Sequence, residues 1–180
     1  MKNFLFVLPL LISLQLYGQN YPDPDYLNQP YLLNSENTLV KLERGDAQFD
    51  FKIKGLGYGG YDMFYTVFGM ESDTKVSFGS PLVFLVKLDT KEDPSTFITL
   101  TKGNLKREKR NFIFDSRSMM GKSKDISENN VPVDIAKLEN GIFRITTKST
   151  LEVGQYAFKP IGVSNAMVPG KQTIFCFSIE

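Results

Sequence analysis

The chain has 180 residues, of which 42% are hydrophobic and 23% charged, with 21 Lys and Arg against 20 Asp and Glu. It contains no His and a single Cys, which excludes His-based catalysis, His-ligated metal sites and an intrachain disulfide. A net charge near zero is not typical of proteins whose main partner is nucleic acid, so we expect no nucleic-acid partner.

Residues 1–19 have the composition of a signal peptide. Lys2 precedes an apolar run that is shorter than the roughly 20 residues a membrane-spanning helix needs. We expect cleavage after Gly18 or Gln19 and export to the periplasm, the outer membrane or the exterior. Lys2 is the only charged residue of this segment, so its removal lowers the basic residues from 21 to 20, equal to the 20 acids. Residues 20–180 are then predicted to form one domain without a transmembrane span.

Alternation of apolar and polar residues predicts β-strands along the rest of the chain. Phe49, Phe51 and Ile53 alternate with charged residues, which predicts that these three share a face toward the core. The segment 111–115 alternates in the same way. The run 82–86 is apolar throughout, which is typical of a central strand covered on both faces. About ten to twelve such segments at regular spacing predict an all-β fold, an antiparallel sandwich or barrel. Together with the corner described below, we predict an antiparallel β-sandwich of the Greek-key, immunoglobulin-like type.

Turn sequences mark the ends of several strands. Asn140-Gly141 is the strongest hairpin signal and lies between the alternating runs 131–138 and 142–148. Gly103-Asn104 predicts a second, weaker hairpin. Ser35–Asn37 predicts a turn between two short apolar runs.

The pattern L-x-x-G-x-Y-x-F at residues 151–158 predicts a corner of a Greek-key sandwich. In such a corner Leu151 enters the core, Gly154 makes the bend, and the hydroxyl of Tyr156 bonds to the nearby backbone. The apolar run 173–179 then supplies the last strand. Within that run Cys176 is predicted to be a buried and unreactive thiol.

Two motifs with catalytic or cofactor associations lack the structural context they need. Gly55–Gly60 matches G-x-G-x-x-G, but aromatic, β-prone residues follow it instead of a helix, so we predict no dinucleotide cofactor. The tyrosines of this loop, Tyr58 and Tyr61, make it a candidate contact surface. Ser72 and Lys75 match S-x-x-K, but the segment is typical of a turn before a strand, so we do not predict a catalytic pair.

Two polar segments are further candidate contact surfaces. Four basic side chains near the hairpin at 102–110 are assigned as candidate partner contacts: Lys106, Arg107, Lys109 and Arg110. They are typical of an electrostatic handle for an anionic glycan, a lipid phosphate or a protein, and equally of a solvated hairpin arm with Lys at an edge strand. The polar loop 115–130 contains Met119 and Met120, whose flexible side chains suit an adaptable contact or packing on the sandwich edge.

Carboxylates are the remaining side chains that could bind a metal ion or act in catalysis. Asp23 and Asp25 form one acidic cluster, and Asp89, Glu92 and Asp93 form another. Their oxygens suit Ca²⁺, but neither cluster has the spacing of a calcium loop, so we assign no metal ligand. Two carboxylates distant in sequence are also the machinery of glycoside hydrolysis. A polysaccharide-acting enzyme is therefore an alternative.

Three segments together resemble a family of small exported proteins of Gram-negative bacteria. They are the Gly-rich run 55–60 with the Tyr-rich strand after it, the corner 151–158 and the closing aromatic strand 174–179. The family's motifs are G-x-G-x-x-G-G, L-P-x-G-E-Y-A-F and F-x-F-G-[VI]-[DE], from which this chain differs at several positions, among them Gln155 and Ser178. The resemblance implies export and a β fold, and it supplies no activity and no functional residue.

These observations predict a non-enzymatic binding or scaffolding domain of the cell envelope with an unknown protein or glycan partner. No cofactor is predicted. The candidate contacts lie in the loops 55–61 and 115–130 and in the basic arm 106–110. The alternatives are a carboxylate-dependent polysaccharide-acting enzyme and a calcium-stabilised adhesion-type module.

Overall fold

The computed structural model describes residues 21–54, 60–117, 129–159, 161 and 171–180. These residues form thirteen strands: β1 (Pro30–Leu33), β2 (Leu39–Lys41), β3 (Glu43–Ile53), β4 (Tyr61–Phe68), β5 (Lys75–Val76), β6 (Val83–Lys87), β7 (Leu100–Lys106), β8 (Lys109–Arg117), β9 (Asn130–Val131), β10 (Val133–Lys137), β11 (Ile142–Thr147), β12 (Gly154–Phe158) and β13 (Lys171–Ile179). A 3-10 turn at Pro94–Thr96 is the one helical element within the described ranges. The predicted all-β fold with antiparallel sheets is confirmed; β5 and β13 form the one parallel pair among the named strands.

A five-stranded sheet has the order β10-β11-β6-β1-β2. Its central strand is the predicted apolar run: Phe84, Leu85 and Val86 are all completely buried. The hairpin between β10 and β11 is also confirmed. Asn140 and Gly141 both have positive φ, 56° and 74°, the conformation that an Asn-Gly turn adopts at low cost.

The second sheet closes on itself. Its strands follow the order β12-β13-β3-β4-β8-β7, and β7 pairs in turn with β12, which completes a ring of six strands. The short strands β9 and β5 attach to β7 and β13. Closure removes the free edges of the long strands, which would otherwise expose unpaired N–H and C=O groups. The strand spacing is compatible with a barrel as well as a sandwich, and the corner pattern favours the sandwich; neither pattern shows which strands pair to close the sheet.

The two sheets share one hydrophobic core, and the ring encloses another. Phe84 of the five-stranded sheet contacts Phe158 on β12 and Phe177 on β13, with ring centroids 5.0 and 5.2 Å apart. Alternate residues of the same two strands point the other way, into the ring. The buried cluster inside the ring consists of Ala47, Val67, Phe112, Ala157, Ile174 and Cys176. Strands β12 and β13 therefore form the wall between the two cores.

Two local features predicted for the segment 151–158 are present at the start of β12. Leu151 is buried in the core between the sheets. The hydroxyl of Tyr156 donates to the backbone carbonyl of Glu152 at 2.8 Å. Burial, as the main cause, raises the pKa of Tyr156, so its hydroxyl stays protonated and keeps this bond.

The hairpin predicted at Gly103-Asn104 is wrong: both residues lie within β7, and the chain reverses at Arg107–Glu108, where Arg107 has a φ of 57°. Gly103 serves a different purpose. It lies opposite Phe112 of β8, and a Cβ at this position would be 2.6 Å from Cε1 of the Phe112 ring. The glycine makes room for an aromatic ring that fills the interior of the closed sheet.

Gly103→Ala is therefore expected to lower the free energy of unfolding by about 1–3 kcal/mol, because the added methyl forces Phe112 to shift in a packed interior. Urea unfolding followed by circular dichroism measures the change. Asn104→Ala, at the exposed neighbouring position, is the control and should change stability by less than about 0.5 kcal/mol. A Gly103→Ala protein as stable as the parent would contradict this role.

Candidate functional site

One row of side chains leads from the interior of the closed sheet to its surface. Ala47, Phe49, Phe51 and Ile53 alternate along β3 and share the face that points into the ring. Ala47 is completely buried, whereas Phe51 is 59% exposed and Ile53 is 60% exposed. The predicted face is correct, but the core ends before the apolar row does. We call this region, defined by the six residues Phe49, Phe51, Ile53, Tyr61, Met63 and Tyr65, the open end.

Aromatic rings line the passage from the packed interior to the open end. The ring of Tyr65 contacts Phe49 at 5.6 Å and Phe114 at 5.2 Å between centroids, both edge to face. Burial raises the pKa of Tyr65, which indicates an apolar setting around its hydroxyl. Deeper inside the closed sheet than these aromatic side chains, Phe112 and Ile174 fill the interior. A ligand would therefore rest over the open end and would not enter deeply.

The open end is where two predicted contact segments begin. Tyr61, the first residue of β4, lies opposite Ile53 on one side and Arg117 on the other. The loops 55–61 and 115–130 therefore leave the sheet at neighbouring positions. Of their candidate contacts, Tyr61 is half-buried at the open end. Three others lie outside the described residues: Tyr58, Met119 and Met120.

A buried carboxylate that the sequence analysis missed lies beside the open end. Asp62 accepts hydrogen bonds from Lys54 Nζ at 2.5 Å and from Ser116 Oγ at 2.6 Å. These bonds join the ends of β3, β4 and β8, so they hold the rim of the open end in place. Lys54 and Asp62 flank the Gly-rich run at a spacing of eight residues, and two strands joined by a tight connection place such residues side by side.

The basic arm lies at the opposite end of the closed sheet, and it divides into two parts. Lys106, Arg107 and Lys109 are exposed around the β7–β8 turn. Arg110 is buried, with 1% exposure, so the prediction that it forms a surface contact is wrong. It lies on the inward face of β8, two residues before Phe112, and its charge is paired inside the protein.

Arg110 and Glu43 form a buried ion pair at the end of the closed sheet opposite the open end. Nη1 and Nη2 of Arg110 each lie 2.7 Å from a carboxylate oxygen of Glu43, and Nε donates to the carbonyl of Gly69. Burial alone would raise the pKa of Glu43, but hydrogen bonds from Arg110 and Ser72 outweigh it and lower the pKa. The pair connects β3 and β8 to the turn after β4.

Cys176 lies in the same interior and is buried as predicted. Burial, followed by the negative charge of Glu43, raises the pKa of the Cys176 thiol to about 12. The thiol therefore stays protonated and serves as a small apolar group.

Several other chemical candidates from the sequence have structural partners. Both carboxylate oxygens of Asp23 lie 2.8 Å from Lys87 Nζ, and Asp93 accepts from the backbone N–H of Ser95. Ser72 is buried, while Lys75 pairs with Glu71 and Glu180 at the surface, so S-x-x-K forms no dyad. Within the described ranges, His, Cys, Asp and Glu side chains form no group of three or more suited to a metal ion.

A surface pocket of about 630 Å³ lies beside the β10–β11 turn. Arg144 on its floor donates to the hydroxyl of Tyr21 at 2.8 Å, which fixes the N-terminal segment to the five-stranded sheet. Lys137 and Glu139 both line the pocket, so opposite charges face the same space. The pocket therefore does not favour ligands of one particular charge.

Comparison of the chain with protein-family models, with curated proteins and with solved structures found no match. In the part of the chain that the structure describes, no helix has the length and apolar character needed to cross a membrane.

Proposed function

We propose that this chain is an exported, non-enzymatic binding protein that holds an apolar ligand at the open end of its closed sheet. The observation that carries the proposal is the exposure of Phe51 and Ile53, at 59% and 60%, on a row that continues the buried interior. Burying such side chains stabilises a complex by about 25 cal/mol per Å² of apolar surface. A ligand that covers this row would gain that energy without any change in the fold.

The chemistry of the open end indicates the class of ligand. Its side chains are aromatic, aliphatic or thioether groups, which suit an acyl chain or an aromatic ring. Lys54, whose side chain is 31% exposed, belongs to the rim. An amphiphile would place its apolar part over Phe51 and its polar part toward this rim.

Export and the sandwich arrangement are parts of the same proposal. Signal-peptide cleavage after Gly18 or Gln19 leaves the chain starting next to Tyr21, which is bonded to Arg144 on the sheet. The shared core between the five-stranded sheet and the β12–β13 wall supports a sandwich of Greek-key type. N-terminal sequencing of the exported protein tests the cleavage site.

The binding proposal predicts that the double variant Phe51→Ser with Ile53→Ser binds a fluorescent long-chain fatty acid at least about tenfold more weakly than the parent. The reason is that both substitutions remove apolar contact area. Titration of the purified mature protein, followed by fluorescence, measures the dissociation constant.

The matched control replaces two equally exposed apolar residues elsewhere. Phe78 is 59% exposed and Val153 is 64% exposed, so Phe78→Ser with Val153→Ser removes similar surface away from the open end. This control should bind as the parent does. The proposal is wrong if the parent does not bind the fatty acid, or if the control loses as much affinity as the open-end variant.

A further inference from the structure

A second exposed apolar surface lies at the opposite end of the closed sheet. Tyr61 begins β4 at the open end, whereas Phe68 ends β4 at the other. There the turns after β4 and between β7 and β8 present three apolar and three basic side chains, which we call the hairpin patch: Phe68, Met70, Leu105, Lys106, Arg107 and Lys109. Phe68 is 65% exposed, and Met70 and Leu105 are each 52% exposed.

Backbone contacts bring the parts of the hairpin patch together. Lys109 lies opposite Phe68 on β4 and opposite Lys106 on β7. Its ammonium is 4.5 Å from the centroid of the Phe68 ring. The N–H of Gly69 donates to the carbonyl of Glu108, which holds the turn carrying Met70 beside the β7–β8 hairpin. Leu105 lies opposite Arg110, on the other face of β7 from Lys106, so the hairpin patch includes both faces of the sheet at this end.

The exposed charge of the hairpin patch is positive. Arg110 is neutralised by Glu43 inside the protein, so it does not contribute to the surface. Between residues 104 and 109 the exposed charges are Lys106, Arg107 and Lys109 against Glu108, a net charge of +2. Beside Met70, the exposed Glu71 is paired with Lys75 at 3.0 Å. A surface with this charge attracts anions, and its apolar side chains find no partner in water.

We propose that the hairpin patch docks the protein onto an anionic lipid surface. Phe68, Met70 and Leu105 would enter the interface between headgroups and acyl chains, and the three cations would contact headgroup phosphates. Peripheral membrane binding uses this combination of apolar contact and positive charge. A polysaccharide or other soluble polyanion would use the cations and leave the three apolar side chains exposed, so the observations favour lipid.

The geometry of Lys109 and the rigidity of the turn support this docking. The ammonium of Lys109 lies over the Phe68 ring, and the long, flexible stem of a lysine lets its ammonium reach the headgroup level while the ring is immersed. Beneath the patch, Arg110 bonds to the carbonyls of Gly69 and Phe68 and to Glu43. The patch is thus preformed, and little conformational entropy is lost on docking. This inference is independent of ligand binding at the open end.

Vesicle sedimentation tests the proposal with the full mature chain. The parent should bind vesicles of phosphatidylglycerol and phosphatidylcholine, bind pure phosphatidylcholine at least about tenfold more weakly, and lose binding at high salt. Both triple variants, K106Q/R107Q/K109Q and F68S/M70S/L105S, should lose at least about tenfold in affinity for the anionic vesicles. A charge control, K52Q/K91Q/K137Q, removes three exposed cations elsewhere and should bind within about twofold of the parent.

A second measurement reports insertion directly. The chain has no Trp, so Phe68→Trp introduces a single reporter that keeps an aromatic ring in the patch. Its emission should shift to shorter wavelength with anionic vesicles, whereas that of Phe78→Trp, placed on another exposed site, should not. The proposal is overturned if the parent does not bind anionic vesicles, if the apolar triple variant binds like the parent, if the charge control loses equally, or if Phe68→Trp emission does not shift.

Discussion

Replacing Arg110 with Met is expected to cost about 3–5 kcal/mol of folding free energy, one of the two largest effects predicted for this protein. The substitution keeps most of the side-chain volume but removes both hydrogen bonds to Glu43, whose side chain is only 15% exposed. The largely buried carboxylate of Glu43 then loses its main counter-charge and its strongest hydrogen-bond donors. Urea unfolding at neutral pH, followed by circular dichroism, measures the loss.

Two further variants distinguish the loss of the ion pair from a general effect of substitution in strand β8. Lys109→Met, at the exposed neighbouring position, should change stability by less than about 0.5 kcal/mol. Glu43→Leu combined with Arg110→Met should recover part of the loss, because the uncompensated buried charge is gone. If Arg110→Met alone unfolds at the same urea concentration as the parent, the ion pair does not stabilise the ring.

The pH dependence of stability provides an independent test of the same pair. The pKa of Glu43 in the folded protein lies below its ordinary value of 4.5. A lowered pKa means that the stabilisation is present above about 4.5 and is lost as the pH falls through the lower, folded-state value. In Arg110→Met, burial remains without the opposing guanidinium, so the pKa of Glu43 should rise. The difference in stability between the two proteins should therefore shrink in acid, as measured by urea unfolding from neutral pH to about pH 3.

Phe84→Ala is expected to cost about 3–5 kcal/mol, the second large effect. Phe84 is completely buried and lies between the two sheets, where it contacts Phe158 and Phe177. Its loss would leave a cavity at the centre of the contact that joins the five-stranded sheet to the wall of the closed sheet. The measurement is the unfolding free energy in urea, with circular dichroism for the sheets and tyrosine fluorescence for the side chains.

Phe78→Ala is the control for Phe84→Ala, because it removes the same ring from a position that is 59% exposed. It should change stability by less than about 0.5 kcal/mol. If Phe84→Ala is nearly neutral, the contact between the sheets contributes little to folding. Two separate unfolding transitions in the parent would also contradict a shared core.

Closure of the sheet separates the two proposed surfaces. Strand β4 has Tyr61 at the open end and Phe68 at the hairpin patch, and strand β8 runs the opposite way between the same ends. Variants at one end therefore leave the other end's contacts intact. Loss of fatty-acid binding with normal vesicle binding, or the reverse, would assign each activity to its own end.

Local chemistry made several features predictable. Asn140-Gly141 specifies a tight turn because both residues tolerate positive φ, and the sequence pattern of the corner places Tyr156 four residues after the carbonyl it bonds. The alternation that marks Phe112 as inward also extends to Arg110, so the sequence held a signal for its burial. The partner of Arg110 was not predictable, because Glu43 is 67 residues away along the chain.

The sequence by itself determined the strand periods, the absence of histidine chemistry, the main hairpin and the apolar face that contains Phe51 and Ile53. These are local properties, set by the order of side chains along one strand or turn. Only the tertiary structure decided that β7 returns to β12 and closes the sheet, which buries Phe112 and Arg110 and leaves Phe51 exposed. Closure depends on pairings between strands more than 50 residues apart in sequence, and such pairings follow from the packing of the whole ring.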